Sequence, residues 1–194
     1  MAMETVRMTI AELEEKIKPF IGQKFTKPRT TNKGEVGILL EQLTGIPQTS
    51  ACLDCADGEL KVFPVKRNSA GQLVPKETIA VTMLDKDDLK SSEFKGSRVC
   101  AKLSRALFVP YERTGDEVCY MTPTLIDMGL EENKGLYSKL CSDYDVIRAK
   151  YIEGGELTSK DGLLLQNRTK GAGHGSTSRA FYLKKEFAKE FIRF

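Results

Sequence analysis

Asp57-Gly58-Glu59-Leu60-Lys61-Val62-Phe63-Pro64-Val65 joins a turn signal to a run of apolar and β-favouring residues. Asp-Gly reverses the chain, and a strand is predicted to begin at Glu59 and to run at least to Phe63. Neighbouring side chains on a strand point to opposite faces, so Glu59 and Lys61 share one face. An acid and a base are thus placed side by side on a rigid element. Taken alone, the pair equally describes a salt bridge on an edge strand, because 29% of the residues are charged.

Upstream of this strand, Thr9-x-x-Glu12 is a capping box, and Ile10, Leu13, Ile17 and Phe20 follow at helical spacing. A helix is predicted to about Pro19, stopped by Gly22. Residues 24 to 33 are polar and basic and read as a loop. Val36, Ile38 to Leu40 and Leu43 predict a buried helix that ends at Gly45-Ile46-Pro47, with Glu41 as an acid on a largely apolar element. Downstream, residues 66 to 75 read as a hairpin loop, and strands are predicted over 77–84, 106–111 and 117–122, with a short helix over 97–104 before the second of these. Leu136, Leu140, Tyr144, Ile147 and Tyr151 lie on one helical face that Gly154-Gly155 terminates. A strand at 163–166, a glycine-rich loop, a strand near 181–183 and a final helix complete the chain. Strands and helices interleave irregularly, so the fold class is α/β (α+β): a mixed central sheet flanked by helices.

The 194 residues suit one domain able to bury its own core. Cys52, Cys55, Cys100, Cys119 and Cys141 are odd in number and scattered, which argues against a secreted disulfide framework and for a reducing cytoplasm. Cys52-x-x-Cys55 has no second Cys or His pair at zinc-ligand spacing, and His174 is the only histidine. No stretch has the form of a signal peptide or a membrane span, so a soluble chain is expected. Net charge is only +3, and DNA affinity would have to come from local clusters such as Arg168, Lys170, Arg179, Lys184 and Lys185.

Asp54 in the preceding loop and Glu41 on the helix could join Glu59 around one hard cation, since Mg²⁺ takes oxygen ligands and keeps several waters. Lys61 could then orient, or help deprotonate, a water that attacks phosphorus. Asp57 stands two residues before Glu59 and rivals Asp54 as a ligand.

Four blocks carry a family resemblance. They are Gly34-Glu35-Val36-Gly37-Ile38-Leu39-Leu40-Glu41, the strand from Asp57 to Val65, Ala101-Lys102-Leu103-Ser104-Arg105-Ala106-Leu107-Phe108-Val109-Pro110, and Leu165-Gln166-Asn167-Arg168-Thr169-Lys170 with Arg179-Ala180-Phe181-Tyr182-Leu183-Lys184-Lys185. In this order they resemble the MutH-like endonucleases of the PD-(D/E)xK kind, which include mismatch-repair nickases and type II restriction enzymes.

The resemblance implies a restriction-endonuclease-like fold, an Mg²⁺ cofactor that Mn²⁺ can replace, and double-stranded DNA as partner. It implies Asp54, Glu59 and Lys61 as the catalytic triad, Glu41 supporting the metal site and Lys102 as a further active-site lysine. Lys33 is then expected near the DNA backbone, and Arg168, Lys170 and Tyr182 on the recognition surface. The sequence departs from the family at one place: four residues separate Asp54 from Glu59, a shorter gap than expected, and Leu53 stands where proline would precede Asp54.

A single domain over 1–194 is expected, divisible into a catalytic lobe over about 1–110 and a recognition lobe over about 111–194. The function expected first is restriction cleavage at a short site such as GATC. The alternatives are a nickase activated by a MutL-like partner, and a DNA-binding module that has lost its chemistry. A monomer would cut the two strands in turn, whereas a dimer could cut both together.

Overall fold

Thr9 starts the first helix as the sequence predicts: its hydroxyl accepts from the Glu12 amide, and the Glu12 carboxylate accepts from the Thr9 amide at 2.7 Å. The computed structural model describes residues 7–27, 34–48, 51–170 and 178–194. Helix α1 covers Ile10–Ile17 and buries Ile10, Leu13 and Ile17, the residues spaced to share one face. Its last predicted turn is a separate 3₁₀ turn at Lys18–Phe20. Helix α2, Glu35–Thr44, buries Val36 and Leu40 and stops at Gly45, whose φ of 76° suits a residue without Cβ.

The chain forms two units. The first comprises Met1–Lys76, Arg105–Ile126 and Arg193–Phe194. It holds the strands β1 (Lys24–Thr26), β2 (Glu59–Arg67), β3 (Leu73–Pro75), β5 (Arg105–Thr114) and β6 (Glu117–Tyr120), in the order β1-β6-β5-β2-β3. β7 (Thr124–Asp127) pairs with β5 off this path. β2 and β5 run parallel, with Glu59 opposite Ala106 and Lys61 opposite Phe108, while β1–β6, β5–β6 and β2–β3 are antiparallel. The sheet is therefore mixed. Leu60, Leu107 and Val109 join Ile10, Leu13, Val36 and Leu40 in one apolar cluster. Burying each such side chain contributes about 1.5–3 kcal/mol. Since Leu60 faces these helices, strand alternation turns Glu59 and Lys61 to the other face.

The second unit comprises Glu77–Ser104 and Asp127–Ile192. Its sheet has the order β4-β9-β8, from β4 (Ile79–Met83), β9 (Arg179–Leu183) and β8 (Leu165–Thr169), all antiparallel. Helices α3 (Lys86–Ser91), α4 (Arg98–Leu103), α5 (Lys134–Ile152) and α6 (Lys185–Phe191) belong to the same unit. α5 buries Leu136, Leu140, Tyr144 and Ile147, and the Tyr144 ring stacks on Phe181 of β9 with centroids 5.9 Å apart. Asp143, on the same helix and 5% exposed, accepts from the amides of Leu163, Leu164 and Leu165 at 2.8, 2.6 and 2.8 Å. Gly162 leads into that clamp. A Cβ there would lie 2.2 Å from the Leu165 carbonyl oxygen.

Four short elements depart from the sequence expectations. β1 occupies part of the polar stretch read as a loop, and β3 occupies the end of the predicted hairpin loop, which shortens that loop. β7 and α3 were not foreseen. Each is six residues or fewer, too short to show a period, and the three strands exist through their partners in the sheet. Among the described residues no helix is long and apolar enough to cross a membrane.

Candidate active site

Glu59 opens β2 and is almost wholly buried, and its Oε1 accepts from the Lys61 Nζ at 2.8 Å. The side chains are 4% and 11% exposed, which removes the surface-salt-bridge reading of the pair. Two charges withdrawn from water carry a desolvation cost of several kcal/mol each, so such a pair is a poor device for stability alone.

Asp54 reaches the same strand by another route. β3 pairs with β2 only from Val65 onward, and at Leu60 the backbone amide donates to the Asp54 Oδ2 at 3.0 Å. Asp57 is engaged differently: its Oδ1 accepts from the Ile10 amide at 2.7 Å, at the start of α1, and its Oδ2 accepts from Arg105 Nη1 at 2.6 Å. Both of its oxygens serve the junction between α1 and β5. Gly58 completes that junction, because a Cβ at this position would lie 2.6 Å from the Arg105 carbonyl oxygen and 2.5 Å from an Ile10 carbon. The turn between Asp57 and Glu59 therefore needs glycine for close approach.

Electrostatics group the remaining acids. Burial pushes the Glu41 carboxyl above its ordinary value, the Asp54 charge adds to the rise, the Gln48 side chain opposes it, and Glu59 contributes further. Cys55 lies buried among the same carboxylates. Its thiol is pushed up to about 12, first by burial and then by Asp54, Asp57 and Glu59. Glu41 thus feels the charges of Asp54 and Glu59, although among the described residues no three His, Cys, Asp or Glu side chains stand in a ready-made metal-holding arrangement.

Residues 48–128 match the model of the family described as the DNA mismatch repair enzyme MutH. That stretch resembles MutH. The matched stretch contains Asp54, Glu59, Lys61 and Lys102, while Lys33, Glu41 and the residues from β8 onward lie outside it. Among curated proteins no match is found. Restriction endonuclease MvaI, solved in complex with its cognate DNA substrate, is similar over 95% of this chain and 97% of its own, with 12% identity and a TM-score of 0.48.

The other candidate residues fall in the second unit or outside the described residues. Lys102 sits in the last turn of α4, partly buried. Lys33 and His174 lie outside the described residues, as does the glycine loop over 171–177. Lys170 is exposed and follows β8, where its amide donates to the Ser178 carbonyl at 2.7 Å. Arg168 is exposed on β8, and its guanidinium carbon lies 4.4 Å from the centroid of the Tyr182 ring. One of its terminal nitrogens donates to the Thr78 hydroxyl at 2.9 Å. The structure therefore brings Arg168 and Tyr182 together, with the tyrosine as the buried member.

Arg179 is spent on the fold: it donates to Asn167 Oδ1 at 2.8 Å and to the carbonyls of Asn167 and Leu157. Sequence reasoning missed Thr78, Asp143 and Arg105. Thr78 and Asp143 carry no local signal, since each acts on a partner 20 or more residues away. Arg105 lay inside the third quoted block, and only its pairing with Asp57 was invisible.

Proposed function

We propose that the chain is a divalent-metal-dependent, sequence-specific DNA endonuclease that hydrolyses phosphodiester bonds at a short site, of the type II restriction kind. The observation that carries this reading is the MutH family match over a segment whose Glu59–Lys61 pair is buried and whose Asp54 is bonded to the same strand. In this reading the first unit does the chemistry and the second reads the DNA.

Glu41, Asp54 and Glu59 would hold the cation. They fit it in kind, for all three offer oxygens, and Glu41, raised first by burial and then by the charges of Asp54 and Glu59, is a carboxyl that a hard cation would favour in its charged form. When bound, Mg²⁺ or Mn²⁺ supplies positive charge at the scissile phosphate and lowers the cost of generating the nucleophile. Lys61, which donates to Glu59, would orient water and neutralise a phosphate oxygen. Asp57 is left out of this set, because its two oxygens are occupied by Ile10 and Arg105.

The experiment is digestion of a plasmid of known sequence by the pure chain in Mg²⁺, followed by sequencing of the ends. Discrete ends at one short motif, absent in excess EDTA, are the expected result. Undiminished cutting in EDTA, or no cutting with or without partners, would overturn the reading. The matched family is described as a mismatch repair enzyme, and the second reading is a repair nickase, which a MutL-like protein would activate. Weak nicking that such a partner stimulates would select it over self-sufficient double-strand cleavage.

A further inference from the structure

We propose that Thr78 and Tyr182 form a cradle that fixes the Arg168 guanidinium for reading a base edge, and that the Thr78 hydroxyl is a specificity-determining positioning group. This inference rests on the endonuclease reading above and adds to it how discrimination is set. In the β8–β9 ladder Gln166 stands opposite Tyr182 and Arg168 opposite Ala180, so Arg168 and Tyr182 are diagonal neighbours, within reach for long and aromatic side chains. On the other side Tyr182 pairs with Ala80 of β4, whose methyl is too small to cover the ring. The ring is left for the guanidinium, which lies 4.4 Å from its centroid.

Stacking fixes the distance of the guanidinium from the sheet but leaves it able to turn in its own plane. The hydrogen bond to Thr78 Oγ1 removes that freedom. Thr78 comes just before β4, so the three residues of the cradle lie on or beside all three strands of this sheet. Among the described residues Arg168 has no other bonded partner, and its remaining donors face solvent from an exposed side chain. An arginine fork that is already oriented loses less side-chain freedom on binding and tolerates less error in the base it meets. Guanine, with two acceptors on its major-groove edge, matches that fork.

The test uses the full chain and binding in Ca²⁺ to two kinds of duplex: one carrying the sequence at which the wild type cuts plasmid in Mg²⁺, and ones changed by a single base pair. Thr78→Val keeps the shape and deletes the hydroxyl, Thr78→Ser keeps the hydroxyl, and Arg168→Ala removes the reader. Thr78→Val is expected to lower the cognate-to-variant ratio about 3- to 10-fold, in keeping with the net worth of one ordinary hydrogen bond at an exposed position. Thr78→Ser should restore the ratio, and kcat on saturating cognate DNA should stay within about twofold for both, since neither touches the reacting atoms. Equal thermal midpoints for the two variants show that the fold is not the cause.

If Arg168→Ala lowers the ratio while Thr78→Val keeps it, the cradle is overturned and the endonuclease reading stands. Thr78→Ser losing the ratio as fully as Thr78→Val also overturns the role of the hydroxyl. Should Arg168→Ala keep the wild-type ratio, or weaken all duplexes alike as a phosphate contact would, the inference falls and recognition lies elsewhere. A wild type that cuts nothing overturns both.

Discussion

Replacing Glu59 by glutamine keeps the side chain's shape and removes the charge that holds Lys61. Cleavage is expected to fall by at least about a thousandfold, with DNA binding in Ca²⁺ within about threefold of wild type, because electrostatic groups at the reacting centre act mainly on the transition state. Gel assays of plasmid cutting against duplex binding separate the two effects. The two aspartates should divide in the same way. Asp54→Ala is expected to be inactive and folded, whereas Asp57→Ala removes the acceptor of the Ile10 amide and one ion-pair partner of Arg105 and should lose about 1–3 kcal/mol of stability while still cutting at low temperature. Activity in Asp54→Ala with none in folded Asp57→Ala would exchange their roles. Glu41 gives a pH signature. Its carboxyl is raised in the folded state, so the folded chain holds that proton more tightly than the unfolded one, and stability falls as pH rises from the unfolded value through the folded value. Urea unfolding from acidic to neutral pH should show this fall in wild type and less of it in Glu41→Gln, and Mg²⁺ should reduce it at neutral pH. The pairing of Glu59 with Lys61 was legible because a strand's period of two places them on one face. What separates Asp54 from Asp57 was not, because both lie in irregular chain: Asp54 meets the Leu60 amide, and Asp57 is oriented by Ile10 and Arg105, 47 and 48 residues away.

At the scale of elements, Asp143 of α5 decides where β8 begins, since one buried carboxylate accepts three successive amides. Asp143→Ala is expected to cost about 3–5 kcal/mol, as removal of one side of a buried charged network leaves the other side unsatisfied. Chemical denaturation measures this, and a loss below about 1 kcal/mol would show that the clamp carries little. Helices α1, α2 and α5 were legible because each repeats apolar residues at helical spacing over two turns or more and ends at a recognisable signal. β1, with one partly buried residue, Phe25, was not, since its strand character comes from pairing with Val118 and its neighbours. β3 was hidden for the same reason: Leu73, Val74 and Pro75 read as loop until β2 is there to pair with them. α3 has one buried residue, Leu89, among charged neighbours and depends on the Asp85 cap.

Over the whole molecule, the chain leaves the first unit after Lys76, returns at Arg105, leaves again after Ile126 and returns at Arg193. Neither unit is a continuous piece of sequence. A fragment over 127–194 would lack β4, so β9 would present an unpaired edge and the buried face of α5 would lose partners. That fragment is expected to be insoluble or unfolded alone and to be rescued by co-expression with 1–126, which circular dichroism and solubility would show. A soluble, cooperatively unfolding 127–194 fragment would contradict this. The parallel pairing of β2 with β5 has a further consequence during synthesis. Glu59 and Lys61 leave the ribosome well before Ala106 and Phe108, and the strand that carries them has no partner on that side until the intervening chain, of which Glu77–Ser104 belongs to the other unit, has been made. A nascent chain therefore displays Glu59 and Lys61 on an incomplete sheet until β5 has followed them out of the tunnel.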